Sequence, residues 1–163
     1  MDVKLLRSGI DYKEILREVN LIRKKYKLYS ENQISLQSSA IDADYTQWDC
    51  SIGKLNRLSY DESKYIHPIF KEMPLTNHYI RSLNAFRCRV MISDPKGCMS
   101  MHRDASPRIH IPVKTNKDCL MIIDKKCYNL EVGNCYFTDT TKYHTALNAS
   151  RENRIHIIGC VDD

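Results

Sequence analysis

The pattern of apolar and polar residues predicts one clear helix near the start of the chain. Within residues 11–27, Ile15, Val19 and Ile22 recur at spacings of four and three, which places them on one side of an α-helix. Asp11 opens the stretch at the position of a helix cap, three residues before a Glu. This helix is therefore predicted to pack one apolar face against the rest of the protein.

Weaker patterns predict four more elements and a long loop before residue 87. The loop spans residues 39–58, which have no periodicity, and Trp48 within it either covers the mouth of a site or packs against the helices. Two alternating segments predict short strands, and two apolar stretches with good cap residues predict helices. The strands are residues 3–7 and 34–38, and the helices are residues 61–72 and 77–85.

From residue 87 onward the chain consists of short alternating segments. Arg87 to Ser93 is the first, and Asp94-Pro95-Lys96-Gly97 after it is a strong turn signal. Six or seven such strands at this spacing are typical of a sandwich, a jelly roll or a small barrel. The remaining predicted strands are residues 98–104, 108–115, 119–124, 126–132, 133–139 and 154–161.

The length and composition fit one globular domain. A chain of 163 residues with 42% hydrophobic and 28% charged residues matches neither a disordered chain nor a coiled coil. We predict a single domain over residues 1–163, with a helical support region (1–86) and a β core (87–163). The fold class is mainly β with N-terminal helices (α+β).

Nothing in the sequence indicates export or a membrane partner. No apolar run approaches the length of a membrane helix, and charges interrupt the N-terminus where a signal peptide is apolar. The seven cysteines include no CxxC pair and are expected to be reduced thiols packed as small apolar groups. A cytoplasmic location is therefore expected.

The net charge of +5 leaves a nucleic-acid role open. Much of the excess lies in the predicted N-terminal helix, where a basic face either binds nucleic acid or is simply solvated. The solvated face is the favoured interpretation. The residues concerned are Arg17, Arg23, Lys24, Lys25 and Lys27.

The motif His102-Arg103-Asp104 is the first candidate for chemistry. On a strand, residues two apart point to the same side, so His102 and Asp104 can meet one metal ion. His144, forty-two residues after His102, supplies a candidate third ligand. Two imidazoles and one carboxylate form the facial triad of non-haem Fe(II) oxygenases, which leaves three sites for O2 and a bidentate cosubstrate.

Two later strands carry polar residues on one side. Arg108 and His110 alternate with isoleucines in the segment RIHIPV, whose apolar side is expected to pack into the sandwich. Arg154 and His156 share one side of the last strand. A guanidinium binds a carboxylate through two parallel hydrogen bonds, so Arg154 suits an anionic cosubstrate. His156 either lines the same pocket or fills the interior.

Taken together, these elements resemble the aspartyl/asparaginyl β-hydroxylase family. The resemblance covers about residues 84–161, with a weaker match at Ile34-Ser35-Leu36-Gln37. The length is closest to a small single-domain form such as phages and bacteria carry, which would place a phage-encoded protein in the host cytoplasm. The elements are His102-Arg103-Asp104, Arg108-Ile109-His110-Ile111-Pro112, Thr115-Asn116, His144 and Arg154-Ile155-His156.

The resemblance implies a fold and a reaction. The fold is a double-stranded β-helix, a cupin-like jelly roll. The reaction is that of an Fe(II)- and 2-oxoglutarate-dependent dioxygenase, which uses O2 to hydroxylate an unactivated C–H while 2-oxoglutarate is decarboxylated to succinate. By this resemblance, His102, Asp104 and His144 are the catalytic metal ligands, Arg154 holds the distal carboxylate of 2-oxoglutarate, and Arg108 and His110 also reach the cosubstrate.

The chain departs from the animal members of that family at two places. Asp104 supplies a carboxylate that the animal peptidyl hydroxylases lack, and Val90 or Met91 stands where they have a Ser. Their substrate-binding repeats are absent as well. A peptide substrate therefore does not carry over from those enzymes. The expected partner is a small-molecule or peptide substrate, and an amino acid, an Asp- or Asn-containing peptide, a nucleobase and a small metabolite all stay open.

Two other classes of function remain open from the sequence. A non-oxidative metal-binding cupin, either an isomerase or a ligand-binding protein, accounts for the three metal ligands but gives Arg108 and Arg154 no shared purpose. A nucleic-acid-binding module accounts for the basic helix but not for the histidines.

Overall fold

The computed structural model describes residues 1–28, 30–41 and 61–162. Most of the predicted loop, with Trp48 and Cys50, lies outside the described residues. No helix within them is long and apolar enough to cross a bilayer.

The described residues form two α-helices and twelve strands, with a 3-10 turn at Glu62–Lys64. In chain order they are β1 (Val3–Ser8), α1 (Tyr12–Lys25), β2 (Gln33–Ser35), β3 (Gln37–Ser38), β4 (His67–Pro68), α2 (Pro74–Ser82), β5 (Phe86–Ser93), β6 (Gly97–Cys98), β7 (Arg108–Lys114), β8 (Cys119–Ile123), β9 (Lys126–Tyr128), β10 (Asn134–Thr138), β11 (His144–Asn148) and β12 (Arg154–Cys160).

Two antiparallel sheets form the predicted jelly roll. The larger has six strands in the order β1-β10-β7-β12-β5-β2, and the smaller has four in the order β6-β11-β8-β9. Strands β3 and β4 form a separate two-stranded sheet, in which Gln37 of β3 accepts a hydrogen bond from the backbone N–H of Cys88 in β5. The first 86 residues thus supply both edge strands of the large sheet, and the division of the chain at residue 87 stays a prediction.

Helix α1 forms where the apolar spacing predicted it. The side chain of Asp11 accepts a hydrogen bond from the backbone N–H of Glu14 (3.1 Å), so the predicted cap is confirmed. Ile15, Val19 and Ile22 are fully buried in the main core.

The expectation that the apolar side of β7 packs into the sandwich is wrong. Ile109 and Ile111, with Ile157 of β12, share one core cluster with the stripe of α1. The apolar face therefore lies on the outside of the jelly roll, where the helix covers it. The stripe of α1 and this face of the sheet bury each other, so the polar residues of β7 and β12 lie on the inner face.

Both predicted helices after the loop need correction. The stretch 61–72 forms only the 3-10 turn and the short strand β4, because Pro68 has no N–H for a helix of that length. The predicted helix 77–85 instead begins at Pro74, whose fixed φ suits a first helical position, and ends at Ser82.

The predicted strand 98–104 is also mostly absent. Only Gly97–Cys98 pairs as β6, and His102 makes an isolated bridge to His144. Strand β11, which carries His144, was not predicted, because its sequence HTALN has no clean alternation of apolar and polar residues. Its pairing with β8 makes it a strand.

The cysteines are only partly packed as expected. Cys88, Cys119, Cys135 and Cys160 are buried, whereas Cys98 and Cys127 are exposed.

A buried carboxylate joins the two helices. Glu18 of α1 accepts hydrogen bonds from the backbone N–H groups of Leu75 (2.8 Å) and Thr76 (2.9 Å) and from the Thr76 hydroxyl (2.6 Å). These amides belong to the first turn of α2, where Met73 provides no side-chain cap. Glu18 therefore caps the second helix from within the first.

We predict that Glu18→Ala lowers the free energy of unfolding by about 1.5–3 kcal/mol, since it removes charge-assisted hydrogen bonds to buried donors. Glu14→Ala in the same helix is the control. It breaks only the exposed ion pair with Arg17 and should cost less than about 1 kcal/mol. Urea denaturation measures both, and equal effects would contradict the capping role.

Candidate active site

A cavity of about 780 Å³ lies between the two sheets. Its walls are the inner faces of β5, β7 and β12 on one side, and β8 and β11 on the other. This volume is typical of sites for small ligands. The sequence-predicted site residues that line it are His102, Asp104, Arg108, His110, His144 and Arg154.

The three predicted metal ligands meet at one point of this cavity. One ligand atom from each of His102, Asp104 and His144 lies within 4.8 Å of the other two. Reciprocal backbone hydrogen bonds of 3.0 and 2.9 Å hold the two histidines opposite each other. Asp104 is placed by the bond from its N–H to the carbonyl of Thr140 (2.9 Å). The segment between β6 and β7, which is a loop rather than the predicted strand, thus brings His102 and Asp104 to β11.

The histidine rings are held in the orientation that a metal ligand needs. Nδ1 of His102 lies 2.7 Å from the carbonyl of Ser100, and Nδ1 of His144 lies 3.0 Å from that of Lys142. A carbonyl only accepts, so both Nδ1 atoms carry the proton and both Nε2 atoms are free to bind a metal.

Burial favours the neutral form of His144. It lowers the pKa of the ring, although the Lys142 carbonyl and Asp104 act in the opposite direction. Nε2 of His144 lies 3.7 Å from Oδ2 of Asp104. A neutral imidazole beside a carboxylate is the donor set expected for a divalent cation, so the residues fit Fe(II).

Arg108 connects the carboxylate of Asp104 to a second acid. Its Nε lies 3.2 Å from Oδ2 of Asp104, and its Nη2 donates to Oε1 of Glu62 at 3.2 Å. Glu62 also pairs with Arg87 and accepts from the hydroxyl of Ser106 (2.8 Å). Arg108 therefore faces the predicted site, as the alternation of side chains along its strand required. Its guanidinium, however, is already bound to carboxylates.

Glu62 was missed by the sequence reasoning. Burial raises the pKa of its carboxyl, but the charge of Arg108, the Ser106 hydroxyl and Arg87 outweigh burial and lower the pKa to about 2. Glu62 sits in a polar 3-10 turn, 25 to 46 residues from its partners in sequence, where no local pattern distinguishes it from a surface acid.

Arg154 is buried without a carboxylate partner. Its Nη2 lies 2.9 Å from Nδ1 of His156, which in turn lies 3.2 Å from Nδ1 of His110. It forms no ion pair with any residue that the structure describes. Burial lowers the pKa of Arg154 to about 10, so the group is still protonated at neutral pH.

Both inner histidines are neutral. Burial, followed by the charge of Arg154, lowers the pKa of His110 and of His156 well below the usual value. Because Nδ1 of His156 accepts from Arg154, the proton of that ring lies on Nε2, which is buried without a described partner. The pair therefore adds no positive charge beside Arg154.

Comparison with known families decides which group of proteins this site belongs to. Residues 11–162 match the family described as aspartyl/asparaginyl beta-hydroxylase. The chain belongs to this family. The match extends well beyond the predicted stretch of residues 84–161 and includes α1. Membership supports a hydroxylase-type oxygenase. No functionally curated protein matches the chain.

Solved structures are similar in fold only. A non-heme monooxygenase, the ThoJ nickel complex, is 10% identical over 97% of this chain and 72% of its own, with a TM-score of 0.52. A 2OG-Fe(II) oxygenase family protein from Burkholderia pseudomallei is 12% identical over 57% and 58%, with a TM-score of 0.45. A cupin domain from Bordetella pertussis is 16% identical over 47% and 81%, with a TM-score of 0.42.

The two expected departures from the hydroxylase family have different places in the structure. Asp104 lies beside both histidines. Met91 lines the cavity, whereas Val90 is fully buried in the main core. Met91 is thus the residue that faces the cavity near the position where animal members of the family have a Ser.

We predict a pH-dependent cost for Glu62→Gln. A carboxyl whose pKa falls from 4.5 to about 2 on folding stabilises the protein above pH 4.5, and this stabilisation is lost as the pH falls toward 2. The variant should have a lower free energy of unfolding than wild type at pH 7, and the difference between the two should become smaller below pH 4.5. Glu31→Gln, at an exposed acid, is the control. Urea denaturation at pH 7, 5 and 3.5 measures this, and a gap that stays constant would show that Glu62 is not an ionised partner.

Proposed function

We propose that this protein is an Fe(II)- and 2-oxoglutarate-dependent dioxygenase that hydroxylates an unactivated C–H of a small molecule or peptide. The observation that carries the proposal is the convergence of His102, Asp104 and His144 with both Nε2 atoms left free. We also propose that it acts in the cytoplasm, where 2-oxoglutarate is available.

Each of the site residues predicted from the sequence has a role in this proposal. His102, Asp104 and His144 hold the iron, with the backbone carbonyls of Ser100 and Lys142 fixing the two rings. Arg108 holds the Asp104 carboxylate on the side of His144. Bound iron, O2 and 2-oxoglutarate supply the oxidation, in which one oxygen atom enters the substrate and the other enters succinate, with release of CO2.

Arg154 is the proposed partner of the distal carboxylate of 2-oxoglutarate. A buried guanidinium with no described ion pair is costly unless an anion joins it. His156 accepts one N–H of Arg154 and so limits its rotation. His110 bonds to His156 and lines the cavity, which lets it orient the cosubstrate as the family resemblance implies.

The first test is metal binding. Mutation of a residue that only hydrogen-bonds a metal ligand typically weakens metal binding by about 10–100-fold. His144→Ala removes a ligand itself, so it should weaken Fe(II) binding by more than that. His78→Ala, at an exposed histidine of α2, is the control and should bind like wild type. Anaerobic equilibrium dialysis measures both. Unchanged affinity in His144→Ala would remove the metal assignment.

The second test separates a 2-oxoglutarate enzyme from a plain metal-binding cupin. Wild type with Fe(II) and 2-oxoglutarate under nitrogen should show a weak metal-to-ligand absorption band. In Arg154→Lys the 2-oxoglutarate concentration for half-saturation should rise about tenfold, since Lys keeps the charge but not the planar fork. Iron affinity should stay the same. A collapse of iron affinity instead would make Arg154 structural, and no band in wild type would favour the non-oxidative cupin.

Succinate release over a panel of free amino acids and short peptides, with and without Fe(II), then tests turnover.

The nucleic-acid alternative has less support, because two of the basic residues of α1 are already paired. Arg17 binds Glu14 and Lys25 binds Glu72. Tight, salt-dependent DNA binding would restore it.

A further inference from the structure

The cavity has more positive than negative side chains. Five arginines and three acids line it, an excess of two positive charges. Glu62 pairs with Arg87 and Arg108, and Asp104 with Arg108. Arg103 lies over the ring of Tyr143 and is exposed. Apart from the exposed Arg103, Arg89 and Arg154 are the two cavity arginines that form no ion pair with a described residue.

Arg89 is the less satisfied of these two. Its Nη1 lies 3.4 Å from Oε1 of Gln33, a long hydrogen bond, and its Nε is buried with no hydrogen-bond partner among the described residues. Burial, with the charges of Arg87 and Arg108, lowers the pKa of Arg89 to about 10, so it is still a cation at neutral pH. Holding such a group on a cavity wall costs free energy unless an anion binds it.

Arg89 and Arg154 lie at different ends of the same wall. Arg154 of β12 is opposite Ser93 of β5, whereas Arg89 is opposite Ile158. Four residues along a strand separate their backbones by about 13 Å. Ile158 of β12 is opposite Arg89 on one side and opposite His110 of β7 on the other, so Arg89 and His110 lie at the same level of the sheet. The two guanidiniums therefore mark two places in the cavity.

We propose that Arg89 binds an oxyanion of the substrate, a carboxylate or a phosphate, so that the substrate is an anionic molecule. This inference rests on the proposed function, in which Arg154 is occupied by 2-oxoglutarate. The planar fork of Arg89 offers two parallel N–H groups to such an oxyanion, including the Nε–H that has no partner within the described part of the chain. The remaining positive charge of the cavity favours the same class of substrate.

The binding test uses matched probes on wild type loaded with Ni(II) and saturated with 2-oxoglutarate. The pairs are butyrate with butyramide and butyl phosphate with butanol, and ligand-observed NMR measures their dissociation constants. At least one anion should bind more tightly than its neutral match, and the pair that shows the preference tells carboxylate from phosphate. In Arg89→Met that preference should fall about tenfold or more, as expected for the loss of a charge-assisted hydrogen bond.

Two controls separate this role from a general field effect and from a structural role. Arg103→Met removes one positive charge from the same cavity and should keep most of the preference. Arg89→Met should leave the melting temperature unchanged or raised, because it removes a buried charge that lacks an ion pair. A large drop in melting temperature together with an intact preference would make Arg89 structural and overturn the proposal.

Other outcomes overturn the proposal in distinguishable ways. Equal binding of acids and neutral matches by wild type would show that no anion site exists. A large loss of 2-oxoglutarate affinity in Arg89→Met, with none in Arg154→Met, would place Arg89 in the cosubstrate site. If wild type binds no 2-oxoglutarate at all, the proposed function fails. In that case, the binding of the anionic and neutral probes by nickel-loaded wild type and Arg89→Met, without cosubstrate, decides whether Arg89 binds anions.

Discussion

The site depends on the burial of charged and polar groups on the inner face of β7 and β12. Arg108, His110, Arg154 and His156 point there because α1 covers the opposite face of the same strands with its apolar stripe. A guanidinium or an imidazole buried in this way needs a partner. Carboxylates satisfy Arg108, and a ring nitrogen of His156 contacts Arg154. The packing of a helix on the outside thus sets the chemistry of the inside.

This arrangement makes Asp104 part of two systems at once. Its Oδ2 lies 3.7 Å from Nε2 of His144 and 3.2 Å from Nε of Arg108. Arg108 is itself held by Glu62, so the candidate metal centre connects to the turn that carries this acid. The same contacts qualify the role first given to Arg108. With its guanidinium already shared by two carboxylates, it positions Asp104 more directly than it contacts a cosubstrate.

The sequence predicted those parts of the site that a strand fixes locally. Period-two alternation put Arg108 with His110, and Arg154 with His156, and the structure places each pair on one side. It did not reveal β11, because His144 becomes a strand residue through its pairing with Ile123 and its bridge to His102. Glu62 and Arg89 were missed for a related reason. Their importance depends on partners, present or absent, that only the tertiary fold determines.

The misplaced apolar face shows the limit of such reasoning most clearly. Alternation tells which residues share a side of a strand but not what lies opposite that side, so an apolar sandwich interior and an apolar outer face fit RIHIPV equally well. The stripe of α1 decides between them, because Ile15, Val19 and Ile22 need an apolar sheet to cover. Once the helix takes the outer face, the inner face of β7 and β12 carries arginines and histidines, and the cavity lining has an excess of two positive charges. An anion bound in this cavity would offset that excess of charge, which supports the proposed binding of 2-oxoglutarate, a dianion.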